Sequence, residues 1–333
     1  MIFEKVRIWH LLFFFQGYLD LPYDVLPAYL LNIWYKGDFN ESGKYTAPNP
    51  PMGAVIDYFI PDSIKATKEE ISKHQTPVKI EISDDKGIII DTLYGTEHKG
   101  INRIIWNLNY LSGHFYYADT INGKHPNYQA GPTALPGNYK VKIEFNGSKE
   151  TQSFELNPDP RLPYNYDEAK KQFAAVKEVQ NGISTLNEVL NRIENIHTQI
   201  ENIKSVIKLV TTANDGNQFQ SILKNSIDID SSLTVLKDTL IESKSQPNVG
   251  EDDIHYLSKF RNWILNLRYW LSSDYDSSPN KMLTNEMEEL RNELISYLNY
   301  FNKIIEIDIP AFNKLVYDKN VPVLVGGSSI KLK

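Results

Sequence analysis

Residues that could carry catalysis or bind metal are scattered singly along this sequence. The seven histidines show no His-x-His or His-Glu-x-x-His spacing, and they stand at positions 10, 74, 98, 114, 125, 197 and 255. Because ligation needs two or three converging imidazoles, only the fold itself could assemble a metal site from them. His197 lies beside the apolar seam of a predicted long helix, and we interpret it as a bundle position. We predict no metal site and no cofactor.

Paired carboxylates are the second chemical possibility. Glycoside hydrolysis needs two carboxyl groups on opposite sides of a cleft. Asp84-Asp85 fits a turn and Asp252-Asp253 fits a helix N-terminus, so neither pair is interpreted as catalytic. The sequence also lacks a Gly-x-Gly-x-x-Gly motif, a Walker-type phosphate loop and a Gly-x-Ser-x-Gly elbow. We therefore predict no catalytic residue.

One segment supports a binding hypothesis, the aromatic loop Asn107 to Gln129. Aromatic rings beside Asn and His on an exposed loop could stack on sugars or anchor a partner surface. The interpretation that we favour is that the rings fill the junction between a β-sandwich and its neighbours. The candidate contact residues are Tyr110, His114, Phe115, Tyr116, Tyr117 and Tyr128.

Composition limits the classes of function. The chain has 333 residues, a formal net charge of -7 and no cysteine. The length predicts about two domains. The acidic balance and the lack of a basic stripe exclude a general nucleic-acid surface, and the missing cysteines exclude disulfides and thiolate chemistry. No run reaches the roughly 20 apolar residues of a transmembrane helix.

Residues 50–160 are predicted to form an immunoglobulin- or fibronectin-III-like β-sandwich. Short runs of β-branched and aromatic residues, several alternating with period two, cover 54–60, 78–83, 87–93, 101–108, 138–145 and 150–156. Turn residues 84–87 and Asn146-Gly147 join neighbouring runs. Because alternate residues of 138–145 are apolar, the sheet should have one buried face.

Residues 161–318 are predicted to form an antiparallel helical bundle with one long helix. Apolar residues recur at three- and four-residue steps from Phe173 to Val210, which indicates a helix of about 40 residues. Asn165 followed by Glu168 resembles a capping box at its start. Shorter helices are predicted around Leu233, from Ile254 to Leu271 behind the acidic residues 251–253, and from the N-cap pair Ser278-Pro279 to an end at Pro310.

The two ends of the chain complete the predicted organisation. Residues 1–49 form an apolar and aromatic lead-in that we expect to dock on the sandwich or on a partner, and 319–333 form a C-terminal tail. Lys5 and Arg7 before the apolar run Ile8 to Phe15 suggest a signal peptide, but that run contains His10 and no small-x-small cleavage pattern follows. We therefore predict no clear signal, and the compartment stays open.

An ordered set of motifs resembles a known module. It comprises NPPMGAVIDYFI from Asn49, VKIEISDDKGIII from Val78, GINRIIWNLNY from Gly100, the GP-x-x-x-PG-x-Y segment from Gly131, and NPDPR ending at Arg161. Together with 253–294 and Phe312 to Val316, these are similar to the C-terminal module of bacterial and archaeal BNR/Asp-box, sortilin-like β-propeller proteins. That family is mostly exported and is often labelled glycosyl hydrolase or exo-sialidase-like.

The resemblance implies a function as well as a fold. The related proteins carry β-propellers with Ser-x-Asp-x-Gly-x-Thr-Trp turns before this module, and this chain has none, so no propeller residue transfers to it. We therefore expect a non-catalytic accessory or interaction module that either docks on a β-propeller supplied by another chain or is a split or truncated part of such a protein. The alternatives are a glycoside hydrolase or sialidase-like protein, and a carbohydrate-binding module that uses the aromatic loop.

Overall fold

The computed structural model describes residues 25–31, 52–60, 78–119, 131–145, 147–210, 219–242, 257–273, 276–319, 321, 324 and 327–332. Within them the fold is α+β, with strands in the first half and helices in the second. The chain divides into two compact units. The first contains the described residues up to Asn109 and Pro136–Tyr164, and the second contains Tyr110–Leu135 and the residues from Asn165 onward. The described parts of this segment, 110–119 and 131–135, which the sequence placed with the sandwich, thus group with the helices.

The first unit is built from two sheets. Its described strands are β1 Ala28–Leu30, β2 Ala54–Ile60, β3 Val78–Ser83, β4 Ile89–Gly95, β5 Gly100–Trp106, β6 Gly137–Phe145 and β7 Ser148–Pro158. One sheet has the order β1-β7-β6-β3-β4, and the other pairs β2 with β5. The larger sheet is mixed, because β1 runs parallel to β7 while the other neighbours are antiparallel. The six predicted strand runs are confirmed, each with its ends within two residues.

Alternation of side chains builds the core of this unit. In β2 every second residue from Ala54 to Ile60 is buried, and β3 follows the same pattern. Trp106 of β5 lies with its ring centroid 5.4 Å from Tyr139 of β6 and 6.0 Å from Phe154 of β7. These aromatic contacts link the two-stranded sheet to the five-stranded sheet through a shared apolar core.

The β3–β4 turn has the predicted chemistry. The Asp84 carboxylate accepts hydrogen bonds from the backbone N–H groups of Lys86 at 3.1 Å and Ile88 at 2.8 Å. Gly87 follows with φ of 79°, a left-handed conformation that glycine adopts without a Cβ penalty. Asp84 therefore holds a turn, as predicted. In the β6–β7 connection Gly147 has φ of 82°, and Asn146 lies outside the described residues.

The lead-in contributes an edge strand to the larger sheet. Ala28 of β1 pairs with Leu156 of β7, and the Val25 backbone N–H donates to the Gln152 side-chain carbonyl at 3.1 Å. The described residues 25–31 of the lead-in therefore pack on the edge of the larger sheet. The signal-like run and the aromatic residues that suggest partner docking, Trp9, Phe13, Phe14, Phe15 and Trp34, lie outside the described residues.

The second unit is helical. Its described helices are α1 Tyr166–Val210, α2 Gln220–Leu240, α3 Phe260–Leu271, α4 Lys281–Lys303 and α5 Ile309–Tyr317, with a π-helical turn at Ile304–Asp308 between α4 and α5. The long predicted helix is confirmed, at 45 residues. Its apolar stripe is buried in one core with residues of the other helices. No helix in the described part of the chain is long and apolar enough to span a bilayer.

The cap of α1 is confirmed in part. The Asn165 side-chain oxygen accepts from the backbone N–H groups of Asp167 at 3.1 Å and Glu168 at 3.3 Å, as an N-cap residue should. The Glu168 carboxylate, which a capping box would turn back toward Asn165, accepts instead from the Lys171 ammonium at 2.8 Å. The N-cap role of Asn165 is therefore confirmed, and the reciprocal bond from Glu168 that a capping box requires is replaced by a bond to Lys171.

The start of α4 differs from the sequence prediction. The helix begins at Lys281, and the side chain of Asn280 accepts from the Leu283 backbone N–H at 3.0 Å. The prediction that Ser278 caps the helix with Pro279 in its first turn is wrong. Asn is at least as good a cap as Ser, and the Asn280 side chain supplies the cap, so the helix begins two residues later.

Two further helix ends also differ. α3 begins at Phe260, and Leu257, predicted to lie within it, precedes the helix and is largely exposed. The acidic residues 251–253 lie outside the described residues. Pro310 does not end the helical part but lies in the first turn of α5. Because proline lacks an N–H and collides with the carbonyl four residues back, the π-helical turn before it relieves that conflict.

Two asparagines bind the C-terminal tail to the helices. Asn302 of α4 donates to the Ile330 carbonyl at 2.8 Å and accepts from the Ile330 N–H at 2.9 Å. Asn313 of α5 makes the same pair with Leu324, both bonds at 2.6 Å. Since Leu324 and Ile330 are also buried, these tail residues are part of the helical core.

Candidate functional site

The first half of the aromatic loop lies along α1. The Asn187 amide donates to the His114 carbonyl at 2.8 Å, and the Asn191 amide donates to the Phe115 carbonyl at 2.6 Å. In return, the Tyr117 backbone N–H donates to the Asn191 side-chain oxygen at 3.0 Å. Residues four apart on a helix share a face, so these two asparagines hold the backbone of the loop in place.

The loop approaches α1 most closely at Gly113. A Cβ built on Gly113 would lie 1.6 Å from the Ser184 hydroxyl oxygen and 2.9 Å from its Cβ. Ser184 is three residues before Asn187 and lies on the same helix face. We call Ser184, Asn187, Asn191 and Glu194 the polar row of α1, because all four contact the loop.

Tyr116 is the buried anchor of the loop. The residue is only 6% exposed, and its hydroxyl donates to the Glu194 carboxylate at 2.8 Å. Burial, followed by the bond to Glu194, raises the pKa of Tyr116. Burial alone would raise the pKa of Glu194, but hydrogen bonds from Lys237 and Tyr116 hold it below its ordinary value. The Lys237 ammonium lies 2.6 Å from the same carboxylate.

Arg261 of α3 completes this attachment. Its guanidinium forms an ion pair with Asp119, at the end of the short 3-10 turn Tyr117–Asp119, and donates from Nε to the Asn187 side-chain oxygen at 3.1 Å. It also lies 5.4 Å from the centroid of the Tyr116 ring. Arg261 is buried, so the pair is shielded from solvent. The arrangement orders the loop and offers no activated nucleophile.

The six predicted contact residues therefore differ in their exposure to solvent. Tyr110 is half-buried with its ring 5.0 Å from Phe173, Phe115 is half-buried and Tyr116 is buried. His114 is exposed, and Tyr117 is 72% exposed. Tyr128 lies outside the described residues. A sugar-stacking ring on this loop is thus available at Tyr117 and not at Tyr116.

A second candidate surface lies on α3. Trp263, Tyr269 and Trp270 are 52%, 67% and 59% exposed, and we call these three side chains the aromatic face of α3. Trp263 and Trp270 are seven residues apart and share one side of the helix. Tyr269 and Trp270 form an edge-to-face pair with centroids 5.4 Å apart. Large exposed aromatic rings are typical of protein interfaces.

Trp263 also borders a cleft of about 700 Å³ between α3 and α4, the α3–α4 cleft. Its carboxylates are Glu286, Glu289 and Glu293, all on α4, while the α3 side presents Lys259 and Trp263. Glycoside hydrolysis requires two carboxyl groups facing each other across the substrate. In this cleft the carboxylates share one wall, which does not match that arrangement.

His197 lies in a polar contact between helices, as the bundle interpretation of this residue predicts. Its Nδ1 is 2.6 Å from the Asp230 carboxylate of α2, and the Lys204 ammonium lies 3.6 Å from the same carboxylate. Within the described ranges, this contact included, no three His, Asp or Glu side chains are grouped so that they could hold a metal ion. The contact links α1 to α2.

Sequence reasoning identified the loop but missed the helix residues that hold it. Asn187 and Asn191 are poor helix formers in the middle of a long helix, spaced four residues apart. Two such residues on one helix face could have indicated a contact with another segment, because asparagine side chains readily hydrogen-bond to backbone groups. The aromatic face also had a signal, because Trp263, Tyr269 and Trp270 lie outside the apolar stripe that the buried residues Phe260, Ile264, Leu267 and Leu271 form.

No protein-family model matches this chain. A comparison with curated protein sequences likewise gives no significant match.

Proposed function

We propose that this chain is a non-catalytic accessory module that docks onto another protein, and that it corresponds to the tail of BNR/Asp-box, sortilin-like propeller proteins. Its partner in this proposal is a β-propeller supplied by a separate chain. The observation that carries the proposal is the aromatic face of α3. Interface hot spots are enriched in Trp and Tyr, and two Trp and one Tyr exposed on one twelve-residue helix match that composition.

We also propose that the strands form a sandwich of the immunoglobulin or fibronectin-III type. The neighbours β7-β6-β3-β4 and β2-β5 would correspond to strands G-F-C-C′ and B-E of that architecture. The contact of Trp106 with Tyr139 and Phe154 supports face-to-face packing of the two sheets. An experimental structure in which β2 and β5 continue one curled sheet with the larger sheet, instead of packing face to face on it, would overturn this assignment.

Direct binding to a propeller tests the docking proposal. The probe is a β-propeller protein encoded beside this chain in its genome, purified separately and titrated by calorimetry. We expect saturable binding that Tyr269→Ala with Trp270→Ala weakens at least about tenfold, as loss of two interface aromatics should. Tyr317→Ala removes an equally exposed ring from α5 and should leave the affinity unchanged. Absence of binding, or equal loss in both variants, would overturn the proposal.

The exposure of Tyr117 favours a second candidate function, glycan binding by the loop. A ring held at the surface by its buried neighbour could stack on a sugar. Tyr117→Ala should abolish retention on a glycan array without changing thermal stability. Leu111→Ala, which truncates an exposed side chain of the same loop outside the candidate contact residues, is the matched variant and should keep full retention. Equal retention of wild type and Tyr117→Ala would remove this candidate.

A further inference from the structure

The α3–α4 cleft has an apolar floor beside a charged wall. Phe260 and Leu290 are buried at its base, and the Tyr297 ring meets Phe260 edge to face with centroids 5.1 Å apart. Burial and the hydrogen bond to Glu293 raise the pKa of Tyr297 to about 12, so its phenol stays protonated near neutral pH. The floor is thus built from aromatic and aliphatic side chains.

The charge of the cleft is negative. Glu286, Glu289 and Glu293 are spaced by three and four residues and share one side of α4. Lys259 is the basic residue among those that line the cleft. Three carboxylates against one ammonium give a formal charge of -2. A ligand that enters next to these side chains is favoured when it carries positive charge.

Trp263 adds a recognition element for cations. Its indole N–H donates to the Ser258 carbonyl at 3.3 Å, which fixes one edge of the ring while about half of its surface stays exposed. A cation over the face of Trp gains electrostatic attraction from the ring quadrupole. Trp263 also belongs to the aromatic face of α3, so the cleft opens beside the proposed docking surface.

We propose that the α3–α4 cleft binds a short segment of the docking partner that carries Lys or Arg. The cationic head lies between the α4 glutamates and the Trp263 ring, and its aliphatic stem packs on Phe260 and Leu290. This inference rests on the proposed docking function and adds the chemistry of the partner. It predicts that the partner presents a basic loop or terminus next to its contact with α3.

Charge argues against two occupants from this chain, a second copy and the connection between α2 and α3. A second copy would bring a net charge of -7 to an already negative cleft. The connection between α2 and α3, residues 243–256, carries Glu251, Asp252 and Asp253 against Lys244 alone. Like charges on both sides oppose association. A basic segment of another protein is therefore the complementary occupant.

Fluorescence anisotropy with labelled hexa-arginine peptide, and hexaglutamate as the opposite probe, tests the cleft directly. We expect hexa-arginine to bind and hexaglutamate not to bind. The double variant Glu286→Gln/Glu289→Gln should weaken hexa-arginine binding about fivefold to tenfold, and Trp263→Ala should weaken it several-fold. Glu150→Gln/Glu155→Gln removes the same charge from exposed positions of β7 and should have little effect.

The outcomes separate this inference from the docking proposal. If hexa-arginine fails to bind, or if the β7 control weakens binding as much as the cleft variant, the cleft inference is overturned even when the propeller binds. If hexa-arginine binding depends on the cleft glutamates but the propeller does not bind, the inference about cation recognition stands and the proposed partner is wrong. Unchanged thermal unfolding of both double variants confirms that the comparison reports binding.

Discussion

The hydroxyl of Tyr116 donates a 2.8 Å hydrogen bond to the carboxylate of Glu194, a residue 78 positions later in the chain. This contact, with the asparagine bonds beside it, makes residues 114–117 of the aromatic loop part of the helical unit. Among the described residues of the loop, Tyr117 is the aromatic residue that stays largely exposed.

Removing the Tyr116 hydroxyl should destabilise the helical unit modestly. Tyr116→Phe deletes the bond to Glu194 and should lower the free energy of unfolding by about 1 kcal/mol. Urea unfolding followed by far-UV circular dichroism measures the change. Tyr117→Phe removes the neighbouring hydroxyl from an exposed ring and should have no measurable effect. Equal losses in both variants would contradict the anchoring role of Tyr116.

Gly113 should not tolerate a side chain. Gly113→Ala places a Cβ against the Ser184 hydroxyl and should cost about 1–3 kcal/mol of stability, the range expected for overpacking. Gly137→Ala is the matched control, because a Cβ at that position would meet no atom within 4 Å. Because Ser184→Gly is itself destabilising within a helix, the test is a double-mutant cycle: Gly113→Ala should cost clearly less in the Ser184→Gly background than in wild type. The same cost in both backgrounds would show that the close approach is not the cause.

Substitution of Arg261 should destabilise the protein far more than substitution of an exposed arginine that forms a similar ion pair. Arg261→Met leaves Asp119 and Asn187 without its hydrogen bonds in a buried setting and should cost about 3–5 kcal/mol. Arg103→Met breaks an exposed pair with Asp57, at 2.7 Å, and should cost about 1 kcal/mol or less. Chemical denaturation of both variants measures their free energies of unfolding. A similar loss of stability in the two would contradict the role of Arg261.

Protonation of Glu194 should lower the stability of the protein at acid pH. Its pKa is lowered in the folded state by the bonds from Lys237 and Tyr116, against the opposing effect of burial. A lowered folded pKa stabilises the protein above the unfolded pKa, near 4.5, and this contribution is lost as pH falls through the lower folded value. Glu194→Gln should therefore flatten the decline of stability below about pH 5. An identical decline in wild type and variant would rule out this linkage.

Much of the architecture was predictable because its signals are local. Period-two alternation placed the six strand runs, and Asn165 marked the start of α1 before its apolar stripe. Leu257 matched the helical period yet lies outside α3, since periodicity does not show where backbone hydrogen bonding begins. The role of Asn187 depends on a loop about 70 residues away, and spacing along one helix does not reveal that contact.

Docking through the aromatic face of α3 is tested most sharply by titration with a separately purified β-propeller partner. We expect a saturable isotherm for wild type and Tyr317→Ala, and an affinity at least about tenfold lower for Tyr269→Ala/Trp270→Ala. A flat isotherm for wild type, or the same affinity for all three proteins, would show that the chain does not dock through this face.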